Sequence, residues 1–202
     1  MAAIIKRSAS SEEFGLFIDG ILLDRASKRL NKRPDFNALL KTLTNSQIPK
    51  VARYYTVIPL EDDSRQRSFL DAIRKAGFGV VVKRLPPVGV ERQVSTDTEM
   101  ASDLIAFAAG KTGFSSNLVV TDEHVESQPM EVTPPEPIGE VLRRTAIVVC
   151  PSREMVYPIS MAKHLGVTTV SADFAKFSPK GSMKTADRLV DLSTSELIWM
   201  KD

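Results

Sequence analysis

Short apolar runs alternate with longer amphipathic stretches along most of this chain. The first run, Phe14-Gly15-Leu16-Phe17-Ile18, leads straight into Asp19-Gly20. A brief apolar run bounded by polar sequence and glycine predicts a fully buried strand of a parallel sheet. A helical region follows over residues 21–45, with Phe36, Leu39, Leu40 and Leu43 at helical spacing, and Pro34-Asp35 predicts a break or a fresh start inside it. Residues 50–59 predict a second strand ended by Pro59. Residues 64–76 predict an amphipathic helix, with Phe69, Leu70 and Ile73 on its apolar side and Gly77 as its stop. Residues 78–83 predict a third strand. Strand–helix–strand–helix–strand is the repeat that builds a parallel sheet with right-handed crossovers.

Pro86-Pro87-Val88-Gly89 begins a loop, Thr96-Asp97 starts a helix through Ala109, and residues 110–116 form the turn after it. Residues 122–144 hold Pro129, Pro134, Pro135 and Pro137 among several acids and read as an exposed, Pro-rich insertion. The pattern resumes with a strand at 146–149, a helix at 156–164 capped by Gly166, a strand at 167–170 and a closing segment at 186–192. Residues 1–12 read as a polar tail, 13–196 as a single domain and 197–202 as its C-terminal end. The predicted class is α/β, a three-layer sandwich with a mainly parallel sheet.

This class gives Asp19 its interest. Parallel sheets place their ligand chemistry just beyond the carboxyl ends of the strands. A carboxylate there either holds a metal or moves a proton, or it caps the next helix, for which aspartate is a favoured residue. Gly20 would let the backbone turn sharply or approach a ligand closely.

The length of 202 residues suits one α/β domain. A net charge of +2 argues neither for nor against nucleic acid, but Arg25, Lys28, Arg29, Lys32 and Arg33 crowd together just after Asp19. They form either a solvated helix face or a phosphate-contacting patch. The single cysteine, Cys150, ends the apolar run 146–150 and reads as a buried structural thiol, so a reducing compartment fits. His124 and His164 share no metal-ligand spacing. The first residues lack the apolar length of a signal peptide and no stretch is long enough to cross a membrane, which predicts a cytoplasmic protein.

Several segments together resemble the NYN domain family of PIN-like ribonuclease folds, and in particular its LabA-like branch. Phe17-Ile18-Asp19-Gly20 is similar to the family's opening F-I-D-G-x-N. The run from Arg53-Tyr54-Tyr55-Thr56 through residues 65–70 to 76–81 resembles its tyrosine-rich second strand and following helix. Residues 145–149, Tyr157-Pro158-Ile159 and residues 163–166 are similar to the elements around the family's S-G-D-x-D-F, and residues 182–189 resemble its tail. The likeness covers residues 13–121 and 145–196.

The resemblance implies a PIN-like, Rossmann-like fold in which carboxylates from strand ends converge on Mg²⁺ or Mn²⁺ and RNA is cleaved. Asp19 matches the first family carboxylate, Asp97 the acid of its V-D element, and Asp103 the acid six residues on. By residue type alone, Asp97 is equally a helix cap. Glu99 lies four residues before Asp103, which places both on one helix face. Two departures stand out. The family's asparagine falls on Leu22, and where S-G-D-x-D-F is expected the chain reads Cys150-Pro151-Ser152-Arg153-Glu154-Met155. A gap-free match sets Ser152 and Glu154 in place of the two aspartates. The usual lysine before the V-D element is replaced near Gln93, with Arg92 as a substitute phosphate contact.

The candidate catalytic set is therefore Asp19, Asp97, Asp103 and Glu154, with Asp19, Asp97 and Glu154 as metal ligands. The candidate RNA contacts are Arg25, Lys28, Arg29, Lys32, Arg33 and Arg92. Two functions follow: a weak or specialised divalent-metal-dependent ribonuclease, or a non-catalytic PIN-like module that binds RNA or a protein partner, including another copy of itself. Aromatic residues make up only 6% of the chain, giving no obvious base-stacking platform. That tilts the binding reading towards backbone contacts or a protein partner. A haloacid-dehalogenase-like phosphatase is disfavoured because Asp19-Gly20-Ile21 lacks a second aspartate two residues on. No glycine-rich phosphate loop or nucleophile elbow is visible either.

Overall fold

Strand β1 (Glu12–Asp19) lies in the middle of an eight-stranded sheet, between β2 (Val51–Ile58) and β6 (Arg143–Val149). The computed structural model describes residues 12–59, 64–87, 89, 93–112, 118–120, 125–127, 143–175 and 184–200. The sheet runs outward through β3 (Gly79–Arg84), β4 (Leu118–Val120) and β5 (Val125–Ser127) on one side. On the other it runs through β7 (Thr168–Asp173) and β8 (Arg188–Asp191). Every pairing is parallel except β4 with β5. Glu12, read from the sequence as the last residue of the tail, pairs with Arg143 in the sheet, and residues 1–11 lie outside the described residues. The 122–144 insertion falls mostly outside the described residues, although β5 sits within it.

The β1 sequence shows why the sheet is central. Phe14, Leu16 and Ile18 face one layer while Phe17 faces the other, and all four are buried. Period-two alternation with apolar residues on both faces is what a covered parallel strand requires. The first layer holds α1 (Gly20–Leu30), α2 (Phe36–Leu43) and α3 (Ser64–Lys75), which contribute Leu23, Ala26, Phe36, Leu39, Leu70 and Ile73. The second holds α4 (Asp97–Ala108) and α5 (Val156–His164), which contribute Met100, Leu104, Phe107, Ile159 and Ala162. This is the three-layer α/β sandwich that the sequence predicts.

Helix boundaries follow local chemistry. Asp35 after Pro34 caps α2, accepting from the Ala38 amide at 3.0 Å, so the predicted break is real. The final residues belong to the core: Ile198 and Trp199 are buried, and Trp199 stacks on Phe174 with ring centroids 5.7 Å apart. No helix among the described residues is long and apolar enough to cross a membrane.

Candidate functional site

The strand order fixes where chemistry can gather. From β1 the chain builds outward through β2, β3 and β4, then crosses back to lay β6 on the opposite flank of β1. A sheet of this kind opens a crevice beyond the carboxyl ends of the strands at that reversal. β1 ends there in Asp19, and β6 ends there just before Cys150-Pro151-Ser152.

Asp19 is 6% exposed and caps α1: its Oδ1 accepts from the amides of Ile21 at 2.9 Å and Leu22 at 3.0 Å. Burial lifts its pKa to about 6 against the pull of the Leu22 amide, and the nearby Asp97 carboxylate pushes it further up. The Ile21 amide and Arg25 act in the opposite direction. Asp19 is thus both the cap and a member of an acidic pair. Gly20 has its own reason. A Cβ at that position would collide with the Tyr54 ring, whose hydroxyl donates to the Gly20 carbonyl at 3.4 Å. The glycine serves this close packing.

Asp97 opens α4, but the cap position belongs to the preceding Thr96. The Asp97 carboxylate instead accepts a 2.6 Å hydrogen bond from the hydroxyl of Ser152. Ser152 immediately precedes the short 3₁₀ helix Arg153–Met155, which runs into α5. Glu154 lies on that helix and is exposed.

Asp103 is placed elsewhere. Six residues along α4 correspond to a rise of about 9 Å from Asp97. There its Oδ2 meets the Arg53 guanidinium at 3.1 Å and accepts from the Tyr55 hydroxyl at 2.8 Å. Burial raises its pKa, Arg53 and Tyr55 oppose the rise, and Glu99 adds to it, in keeping with the shared face of Glu99 and Asp103. The structure thus places Asp103 against a buried arginine of β2. Glu99 itself pairs with Lys83 at 2.8 Å, and Lys83 also donates to the Ser95 carbonyl at 2.9 Å. A lysine at the end of β3 therefore holds the approach to α4.

One buried carboxylate escaped the sequence reading. Asp173 ends β7 and is 5% exposed. The Cys150 thiol is hydrogen-bonded to it, and burial followed by Asp173 and Asp19 holds that thiol well above the ordinary cysteine range. Cys150 is therefore a neutral group wedged between two acids, in agreement with a structural role. The signal was present in Val170-Ser171-Ala172-Asp173, a strand running into a carboxylate just as β1 does.

The basic run lies exposed on α1 and after it. Lys28 pairs with Asp24 of its own helix at 2.7 Å, and Lys32 pairs with Glu196 at 2.9 Å while lying 5.7 Å from the Trp199 ring centroid. Such exposed pairs are weak and exchange readily. Arg25 is exposed on α1, and its charge lowers the Asp19 pKa. Arg29 and Arg33 are exposed with it, and Arg92 lies outside the described residues.

Among the described residues no three His, Cys, Asp or Glu side chains come together as a metal site. Asp19 and Asp97 are neighbours, Ser152 supplies a neutral hydroxyl, and Glu154 stands exposed. A hollow of about 380 Å³ lined by Ile48, Lys50 and Gly79 lies at the amino ends of β2 and β3, away from this crevice.

The sequence matches the NYN domain over residues 13–123. No curated protein matches it. The structure is similar to a crystal structure of a protein of unknown function from Vibrio parahaemolyticus, with a TM-score of 0.66 and 14% identity. The match covers 96% of this chain and 99% of that one. At that identity the likeness concerns the fold. The domain match spans more than half of the chain, from β1 past the end of α4, and so takes in both Asp19 and Asp97. This chain belongs to the NYN domain family.

Proposed function

We propose that this protein is a non-catalytic NYN module that binds single-stranded RNA through its backbone. The family belongs with PIN-like nucleases, which generally work with divalent metals. The observation that carries the departure is the Ser152 hydroxyl donating to Asp97. A metal-dependent centre needs several anionic oxygens around a hard cation, since ligand charge and geometry set affinity. Here a neutral hydroxyl bonds Oδ1 of Asp97, and Oδ1 of Asp19 accepts from the first turn of α1, which leaves fewer free anionic oxygens for a cation.

RNA binding is supported by the family and by the exposed cations of α1 beside the crevice. Arg25 offsets the charge of Asp19, and Arg25, Lys28 and Arg29 offer contacts to phosphates. Such contacts position a strand without reading its sequence. They also make affinity fall with salt, with a slope of about −0.7 per phosphate neutralised on single strands.

The test incubates the full chain with labelled single-stranded RNAs in Mg²⁺ or Mn²⁺, following cleavage on gels and binding by fluorescence anisotropy. The expected result is salt-sensitive binding with RNA left intact. Mn²⁺-dependent cleavage that disappears in Asp19→Asn would establish the ribonuclease reading instead.

A further inference from the structure

Aromatic side chains in this protein are scarce and mostly used in the core. Of the three tyrosines, Tyr54 and Tyr55 are buried, whereas Tyr157 is 72% exposed. Phe69 is also partly exposed, but its ring is tied to Phe36 and Tyr54. Among the described residues, none hydrogen-bonds the Tyr157 hydroxyl or stacks on its ring. It sits in the first turn of α5, next to the buried Pro158, so the backbone beneath it is fixed while its ring stands in solvent.

Its position matters as much as its exposure. Tyr157 follows Ser152, which bonds Asp97 in the crevice, by about one helical turn. The exposed Arg153 lies between them in sequence, and Arg25 is exposed on α1. A strand held by its phosphates against these cations would present its bases to whatever lies alongside. A solvated aromatic ring is the surface on which bases of any identity stack.

Resting on the RNA-binding reading above, we propose that Tyr157 is a base-stacking residue for single-stranded RNA at the mouth of the crevice, with Arg153 contacting the adjoining phosphate. The observation behind it is a strongly exposed tyrosine on the helix that follows Ser152. The occupant is a nucleobase, because the flanking cations select an anionic backbone and the ring selects a flat π-face.

The experiment titrates the full chain with a fluorescein-labelled oligoadenylate and with an abasic strand of equal length, for wild type, Tyr157→Ala and Tyr157→Phe. Tyr157→Ala should weaken oligoadenylate binding about tenfold, consistent with the usual worth of one stacked base. Tyr157→Phe should bind like wild type, and the abasic strand should bind all three proteins equally. Thermal melts should coincide, since the side chain is exposed. Equal oligoadenylate affinity in Tyr157→Ala overturns the assignment, as does an equal loss on the abasic strand. A dimer in sedimentation that Tyr157→Ala dissociates, with RNA binding unchanged, marks a protein interface and also overturns it. If wild type binds neither strand, the RNA-binding reading itself fails, an outcome separate from the failure of Tyr157 alone.

Discussion

The Ser152 hydroxyl lies 2.6 Å from a carboxylate oxygen of Asp97. This bond changes the electrostatics of the crevice. A third carboxylate would raise the mutual repulsion of Asp19 and Asp97 and draw in a cation, whereas a hydroxyl lowers the negative charge and satisfies Asp97 from within the protein. Asp97 and Ser152 come from α4 and from the segment after β6, so the bond also ties two elements across the crevice.

Replacing that hydroxyl by a charge reverses the effect. Ser152→Asp is expected to destabilise the protein by about 1–2 kcal/mol at neutral pH, because three carboxylates then share one partly buried space. Mn²⁺ should raise the melting temperature of the variant and leave that of wild type unchanged, since a ligand stabilises only the state that binds it. Calorimetric melts with and without Mn²⁺ check both statements. A Mn²⁺-dependent rise in wild type would show that the native centre already holds the ion.

Asp19 gives a pH signature. Its folded pKa of about 6 lies above the ordinary value of 3.8. The folded protein thus keeps a proton that the unfolded chain has released. Stability from this group is full below pH 3.8 and is lost as the pH rises to about 6, by about 3 kcal/mol in all. Asp19→Asn cannot ionise, yet its side-chain oxygen can still accept from the Ile21 and Leu22 amides. The variant should equal wild type near pH 4 and exceed it in stability above pH 7. Urea titrations across that range measure the difference.

Removing the Asp103 carboxylate should instead cost stability. Asp103→Ala deprives the buried Arg53 of its carboxylate at 3.1 Å and the Tyr55 hydroxyl of its acceptor at 2.8 Å. Breaking a buried ion pair from one side costs about 3–5 kcal/mol. The double variant Arg53→Met with Asp103→Leu should recover most of that loss, because it removes both charges together. Urea unfolding of the two single variants and the double variant tests the coupling. Equal losses that simply add would place the two residues outside a shared pair.

The fold was largely legible because its signals are local. Alternating faces in β1, the cap at Asp35 and the stop after α3 each depend on a few neighbouring residues, and each matched an element boundary to within a few positions. The acidic centre was legible only in part. Asp19 and Asp97 were readable as strand-end and helix-start acids, but the partner of each carboxylate depends on tertiary packing. Spacing alone could not separate Asp97, which meets Ser152, from Asp103, which turns to Arg53. Asp173 went unread because Ser171 interrupts the apolar run and ends the apparent strand at Val170. In the fold that serine is fully buried and the strand continues. Low aromatic content likewise hid Tyr157, since composition counts residues without their exposure.

Gly20 supplies the last prediction, because two readings of it give different outcomes. If the glycine makes room for the Tyr54 ring, Gly20→Ala forces that ring or the start of α1 to move. Overpacking of this kind costs about 1–3 kcal/mol. The penalty should shrink when Tyr54 is shortened, so Gly20→Ala should cost less in a Tyr54→Leu background than in wild type. Four urea curves close this cycle, and neighbours in contact are expected to deviate from additivity. If the glycine instead clears space for a ligand, Gly20→Ala would leave the unfolding curve in place and weaken RNA binding. The buried Tyr54 ring and its hydroxyl on the Gly20 carbonyl favour the first outcome.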